Sequence, residues 1–229
     1  ARHRAQLGGT RVLWSALLAG EIDAYPEYTG TLCEEILKID CEPGTLAAAL
    51  RTHGVQATPS LGFRDEYALA MREEQAARLG LRTISDLRAH PELRLGFSEE
   101  FLARSDGWPA LRARYHLPHT DVRGLDHDLA WRGLSAGSLD LIDAYTTDAE
   151  LRATPTRLLE DDQGFFRHYE ALLLLHGAAL RPEARGALES LAGRIDERQM
   201  VDLNARARID HQPEAQVAAA WLSSHGLAP

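Results

Sequence analysis

The sequence predicts an α/β protein built as two similar lobes, and three observations carry that expectation. Strand-like and helical runs alternate along most of the chain, the pattern of sheets covered by helices, here read as parallel sheet. A block of sixteen positions near the N-terminus is echoed 117 positions later. The length of 229 residues, 45% hydrophobic and 26% charged, is ordinary globular composition and fits one large domain or two small lobes.

Each element has a local reason. Thr10 is placed to N-cap a helix bearing Val12, Leu13, Leu17 and Leu18, which stops at Gly20. Strand-like runs follow at Val55–Thr58, Tyr67–Met71, Leu93–Phe97, Leu139–Ala144 and Thr156–Leu159, with helical segments between most of them. Ser98 before Glu99 and Glu100 is a helix start, because a hydroxyl cap and an acidic first turn satisfy the orphan N–H groups. From Arg181 to His225 the period is helical only: Pro182–Leu191, Asp196–Ala207 and Pro213–Ser224.

The repeat pairs Trp14, Leu17, Ala19, Gly20, Ile22, Asp23, Tyr28 and Thr29 with Trp131, Leu134, Ala136, Gly137, Leu139, Asp140, Tyr145 and Thr146. Each copy reads as a helix ending in Ala-Gly, a short apolar strand, and a Tyr-Thr turn at the strand's carboxyl end. Open α/β sheets bind ligands at those ends. Two such lobes facing each other would form a cleft able to close by hinge motion. Trp14 and Trp131 are expected to pack each helix onto its own sheet.

Composition and motifs exclude several classes. The net charge of −9 argues against a general nucleic-acid or anionic-membrane binder. Apolar runs such as Ala171–Leu175 are far short of the roughly 20 residues that span a bilayer. The first residues show no signal-peptide pattern and no start methionine, so the N-terminus is expected to be cut or processed. Nucleophile-elbow, phosphate-loop, dinucleotide and zinc-protease motifs are absent, so no enzyme, catalytic residue or cofactor is expected. Cys33 and Cys41 lack zinc-ligand spacing; a local disulfide and two buried thiols both fit. His116, His119, Asp121, His127 and Asp128 match no metal-site spacing and read as a polar loop between two helices.

Tyrosines carry the positive signal. Tyr28, Tyr67, Tyr145 and Tyr169 fall at expected strand ends or lobe junctions. Rings facing a common cleft hold a quaternary ammonium by cation–π attraction of roughly 0.5–2 kcal/mol each. Taken singly, each is more often a core or rim residue with a satisfied hydroxyl.

The run Gly20–Thr31 (GEIDAYPEYTGT) resembles the signature of the glycine betaine/carnitine/choline-binding proteins of osmoprotectant ABC importers. Further matches run in order along the chain: Leu61–Phe63 with Tyr67–Ala70, Thr83–Leu87, Leu93–Phe97, Phe101 through Arg104 to Asp106 and Gly107, Ile142–Asp148, Leu159–Asp162 with Gly164–Phe166, and Leu191–Asp196. The resemblance implies a type II periplasmic-binding-protein fold, two α/β lobes with a double crossover. It implies an extracytoplasmic receptor, free, anchored or permease-fused, that works with ABC transporter permease subunits and not with nucleic acid. On matching motifs, Tyr28, Tyr67, Tyr145 and Tyr169 form the aromatic cage for a trimethylammonium head. Asp65 matches a position bordering the cage, or is a solvated loop carboxylate. Thr31 and Arg104 match the residues that take the ligand carboxylate, a task suited to the planar guanidinium fork; otherwise Thr31 caps the helix that follows and Arg104 pairs with Asp106.

With the crossovers placed near Tyr67 and Tyr169, one lobe is expected from residues 1–66 and 170–229 and the other from 67–169. Only 27 residues precede Tyr28, so the family's first strand, with its Ser-Lys-x-Phe-Thr-Glu loop and ligand-facing lysine, is expected to be missing. A ligand-sensing domain of a transcription regulator on the same fold is the alternative; it would need an attached DNA-binding helix-turn-helix.

Overall fold

The computed structural model describes residues 2–4, 7–104, 107–166, 169–177 and 180–227. The chain divides into two compact units, residues 1–65, 168–200 and 222–229 in the first, and residues 66–167 and 201–221 in the second. The sequence places 170–229 whole in the first lobe. Residues 201–221 instead pack in the second unit, where Arg152 bonds Asp202 and Asp210 at 3.2 and 2.6 Å, Arg208 reaches Asp128 at 2.6 Å, and Asn204 donates to the Thr147 carbonyl. Helical periodicity placed the helices but carried no information about which sheet they cover.

In the first unit, β1 (Ala24–Tyr28), β8 (Ala171–His176) and β2 (Val55–Ala57) form a three-stranded sheet in the order β1-β8-β2, with β8 antiparallel to both neighbours. Leucine fills both faces of β8. Leu172 and Leu174 pack with Trp14, Leu17, Leu32, Leu46, Leu50 and Val55, while Ala171, Leu173 and Leu175 pack with Leu61 and Phe63. A short π-helical turn, Leu32–Leu37, follows β1, and Cys33 is joined to Cys41 in a disulfide across it.

The second unit holds β3 (Tyr67–Arg72), β4 (Leu95–Ser98), β5 (Val122–Leu125), β6 (Leu141–Tyr145) and β7 (Thr156–Leu158) in the order β5-β4-β6-β3-β7. β4 runs parallel to β5 and β6, whereas β3 is antiparallel to β6 and β7. Alternating faces bury two clusters, Leu69, Met71, Leu95, Phe97 and Leu141 on one side, Ala70, Trp131, Leu134, Ile142 and Ala144 on the other. The parallel sheet expected from β/α alternation is thus confined to β5-β4-β6.

The repeat is structural down to its hydrogen bonds. The helices Thr10–Leu18 and His127–Ser135 end alike, with Gly20 at φ 70° and Gly137 at φ 72°, a left-handed turn that glycine adopts without steric cost. Gly20 N–H donates to the Leu17 carbonyl and Gly137 N–H to that of Leu134. Beyond each strand, Thr29 N–H donates to the Glu170 carbonyl and Thr29 Oγ1 accepts from Glu170 N–H. Thr146 makes the same two bonds with Glu66. The Tyr-Thr pair therefore marks where each unit clamps an incoming segment of chain. Trp14 and Trp131 are buried in their own units, as packing residues.

Candidate functional site

Each unit carries its own cluster of the residues singled out by sequence. In the first, Tyr28 closes β1 and its hydroxyl bonds the Asp65 side chain. Burial, then the adjacent Asp65 carboxylate, pushes the Tyr28 pKa up, so the phenol is a permanent donor. Asp65 N–H donates to the Tyr169 carbonyl at 3.2 Å, which ties the two segments together. The Tyr169 ring packs against Gly30: a Cβ at that position would stand 2.3 Å from its Cε1, so only glycine admits the ring there. Thr31 follows on the same turn, half-buried. Tyr28, Thr31, Asp65 and Tyr169 thus belong to one unit, around the carboxyl end of one strand.

In the second unit, Tyr67 opens β3 opposite Tyr145, which closes β6. The Tyr145 hydroxyl donates to that of Tyr67 at 3.1 Å, with ring centroids 4.8 Å apart. Burial, then the Tyr145 hydroxyl, raises the Tyr67 pKa. Arg104 ends the helix Glu99–Ala103 and holds its guanidinium carbon 5.8 Å from the Tyr67 ring centroid, within cation–π reach. It also pairs with Glu100 at 3.5 Å; the Asp106 pairing considered from sequence lies outside the described residues. Ser98, the expected cap, accepts from Phe101 N–H and in turn bonds the fully buried Asp143 carboxylate. Burial raises the Asp143 pKa against those bonds.

Sequence reasoning missed several neighbours. Phe101 and Phe166 flank Tyr67, with centroids 5.0 and 6.5 Å from its own. Both lay inside matched motifs, and that was the signal available. His127, read as part of a polar loop, opens a helix instead and places its ring 5.2 Å from Tyr145. Among the described residues, no group of three or more His, Cys, Asp or Glu is arranged to hold a metal ion.

Two α/β units linked by repeated crossings of the chain, each gathering tyrosines at strand ends, define a type II periplasmic-binding-protein fold. Residues 1–224 match the family described as the substrate-binding domain of ABC-type glycine betaine transport systems, and the chain belongs to that family. It is 30% identical over 239 residues to a glycine-betaine-binding protein of Pseudomonas aeruginosa, covering 96% of this chain and 77% of the relative. It is 29% identical to the ergothioneine transport permease/ergothioneine binding protein EgtU of Helicobacter pylori, covering 96% of this chain; it spans only 41% of that relative's length. A crystal structure of a glycine betaine/carnitine/choline ABC transporter superposes with a TM-score of 0.86 at 28% identity, covering 96% of this chain and 85% of that one. A lactococcal OpuAC complexed with glycine betaine shares the fold, with a TM-score of 0.61 at 11% identity and 94% and 81% coverage.

Proposed function

We propose that this chain is the extracytoplasmic solute-binding component of an ABC importer and that it takes a quaternary ammonium osmoprotectant of the glycine betaine type. One observation carries the reading: a tyrosine of each unit lies beside a charged side chain, an acid in the first, Tyr28 with Asp65, and a base in the second, Tyr67 with Arg104, which also pairs with Glu100. Aromatic faces, one anion and one cation are the complement of a betaine, which is itself a fixed cation joined to a carboxylate.

In this reading Tyr28, Tyr67, Tyr145 and Tyr169 offer their faces to the trimethylammonium head, at about 0.5–2 kcal/mol per ring. Asp65 adds a negative charge to that end. Arg104 and Thr31 donate to the carboxylate, Arg104 through charge-assisted bonds. The named relatives support the chemistry. Glycine betaine, ergothioneine and the carnitine of a Listeria monocytogenes binding protein, 29% identical over 216 residues, all join a trimethylammonium to a carboxylate. Delivery to permease subunits follows from the same family. Among the described residues no helix is long and apolar enough to cross a membrane, and the Cys33–Cys41 disulfide suits an oxidising compartment. The transcription-regulator reading gains no support from these transport relatives.

Calorimetry with glycine betaine, carnitine, ergothioneine and choline tests the proposal. Binding of at least one betaine, tighter than choline, is expected. No binding of any of the four overturns it.

A further inference from the structure

The internal repeat extends to residues that play no direct part in the proposed site. In the first copy the backbone N–H of Tyr28 donates to Glu27 Oε1 at 2.9 Å. The Glu27 carboxylate also accepts from Thr10, the first residue of the preceding helix. In the second copy the backbone N–H of Tyr145 donates to Asp148 Oδ2 at 2.8 Å. Asp148 in turn faces His127 Nε2 at 3.0 Å, and His127 is the first residue of the corresponding helix. Thr10 and His127 are the same position of the repeat, 117 residues apart. The two carboxylates are not: one stands directly before its tyrosine, the other three residues after.

Two different carboxylates thus reach the same backbone atom and the same helix start. A strand-end N–H is an orphan donor unless something accepts it, and a buried orphan is costly. Water would serve in an exposed turn, but both carboxylates are shielded: Glu27 is 5% exposed and the Asp148 side chain 11%. Burying a charged acceptor is favourable only when its lone pairs are taken up. Asp148 meets this with three donors, Tyr145 N–H, Trp131 Nε1–H at 3.0 Å and His127 Nε2–H, which must donate because a carboxylate only accepts. What these bonds fix is the backbone from which each tyrosine ring departs, and a ring gives its cation–π attraction only within about 6 Å of the cation.

We propose that Glu27 and Asp148 are positioning residues of the ligand site, each a carboxylate key that locks a cage tyrosine to the first residue of the helix ahead of it. The proposal rests on the ligand reading given above. In the second copy the key occupies the repeat position held in the first by Thr31, the residue proposed to meet the ligand carboxylate. Its commitment to three protein donors keeps that negative charge occupied.

The test compares Glu27→Ala, Asp148→Ala, Glu27→Gln and Asp148→Asn with wild type in three measurements: glycine betaine affinity, thermal midpoint, and amide hydrogen exchange at Tyr28 and Tyr145. Each alanine variant should speed exchange at its own tyrosine only and weaken binding at least tenfold at a temperature where it is fully folded. Each amide variant keeps an acceptor oxygen and should restore most of the affinity, a rescue that a general loss of stability would not give. If an alanine variant fails to fold, Thr10→Val and His127→Leu remove the second half of the same link and should weaken binding a few-fold. Unchanged exchange in the alanine variants overturns the proposal, as does wild-type affinity despite faster exchange. A wild-type protein that binds no trimethylammonium compound instead removes the ligand reading, and the key then stands or falls on amide exchange alone.

Discussion

Replacing Arg104 by alanine separates recognition of the ligand's carboxylate from recognition of its cation. The side chain is 24% exposed, and its ion-pair partner Glu100 is 60% exposed, so the pair itself contributes little to stability and the variant should fold. A charge-assisted hydrogen bond is worth roughly 1.5–3 kcal/mol. Partial exposure of the guanidinium places its contribution at the lower end, near 1.5 kcal/mol, which is about a tenfold change in affinity. Choline carries the same trimethylammonium head and no carboxylate, so it has nothing to lose to this bond. The expected outcome is that Arg104→Ala shrinks the preference for glycine betaine over choline by about tenfold or more, chiefly by weakening betaine. Paired calorimetric titrations of wild type and variant, at one ionic strength, measure it directly. Equal losses for the two ligands would refute the reasoning, because the arginine would then support the site without reading the carboxylate.

Other expectations follow from the same geometry. Tyr67→Ala should weaken every trimethylammonium ligand by about 1–2 kcal/mol, 5- to 30-fold, and Tyr67→Phe much less, because the ring carries the attraction; calorimetry of both variants decides this. Asp140 is desolvated, yet its bonds to Arg94 outweigh burial and hold its pKa below the usual carboxylate range. A depressed folded-state pKa adds stability above the unfolded value near 3.9 that disappears as pH falls through the folded one, so Asp140→Asn should flatten the acid limb of a melting-temperature profile. Cys33→Ser with Cys41→Ser should cost about 2.5 kcal/mol by the loop-entropy rule for a separation of eight residues, read from denaturant midpoints.

The repeat was the most legible feature because helix, glycine turn and strand are all local. Its two copies recur in the structure with their glycine angles and clamp bonds intact. Sheet direction was not legible. β3 and β8 enter from distant parts of the chain and pair antiparallel, and alternation of β and α runs says nothing about such partners. β8 escaped assignment as a strand because both its faces are buried, which erases the period-2 signal and leaves only an apolar run. β5 was hidden for a different reason: it is a four-residue sheet-edge strand whose two middle residues, Arg123 and Gly124, are exposed and interrupt any apolar period. Of the candidate site, the tyrosines, Thr31, Asp65 and Arg104 were found through motifs. Glu27, His127 and Asp148 were not, because acidic and histidine side chains near turns read as solvated, and only the folded backbone shows which N–H they accept from or which carboxylate they reach.

The position of β8 between β1 and β2 has a consequence for the order in which this chain acquires structure. Every strand of the second unit's sheet lies between Tyr67 and Leu158, so that sheet is complete in the polypeptide before Ala171 emerges during synthesis. The first unit, although its chain begins earlier, has no sheet until β8 arrives, because β1 and β2 pair with β8 and not with each other. Contacts between segments so far apart are slow to form, and exposed strands waiting for a partner are prone to wrong pairings. The N-terminal strands therefore wait longest for their sheet, and a nascent chain that stops before residue 171 holds every strand of the second unit's sheet while it lacks both β8 and the helices of residues 201–221 that pack on the second unit.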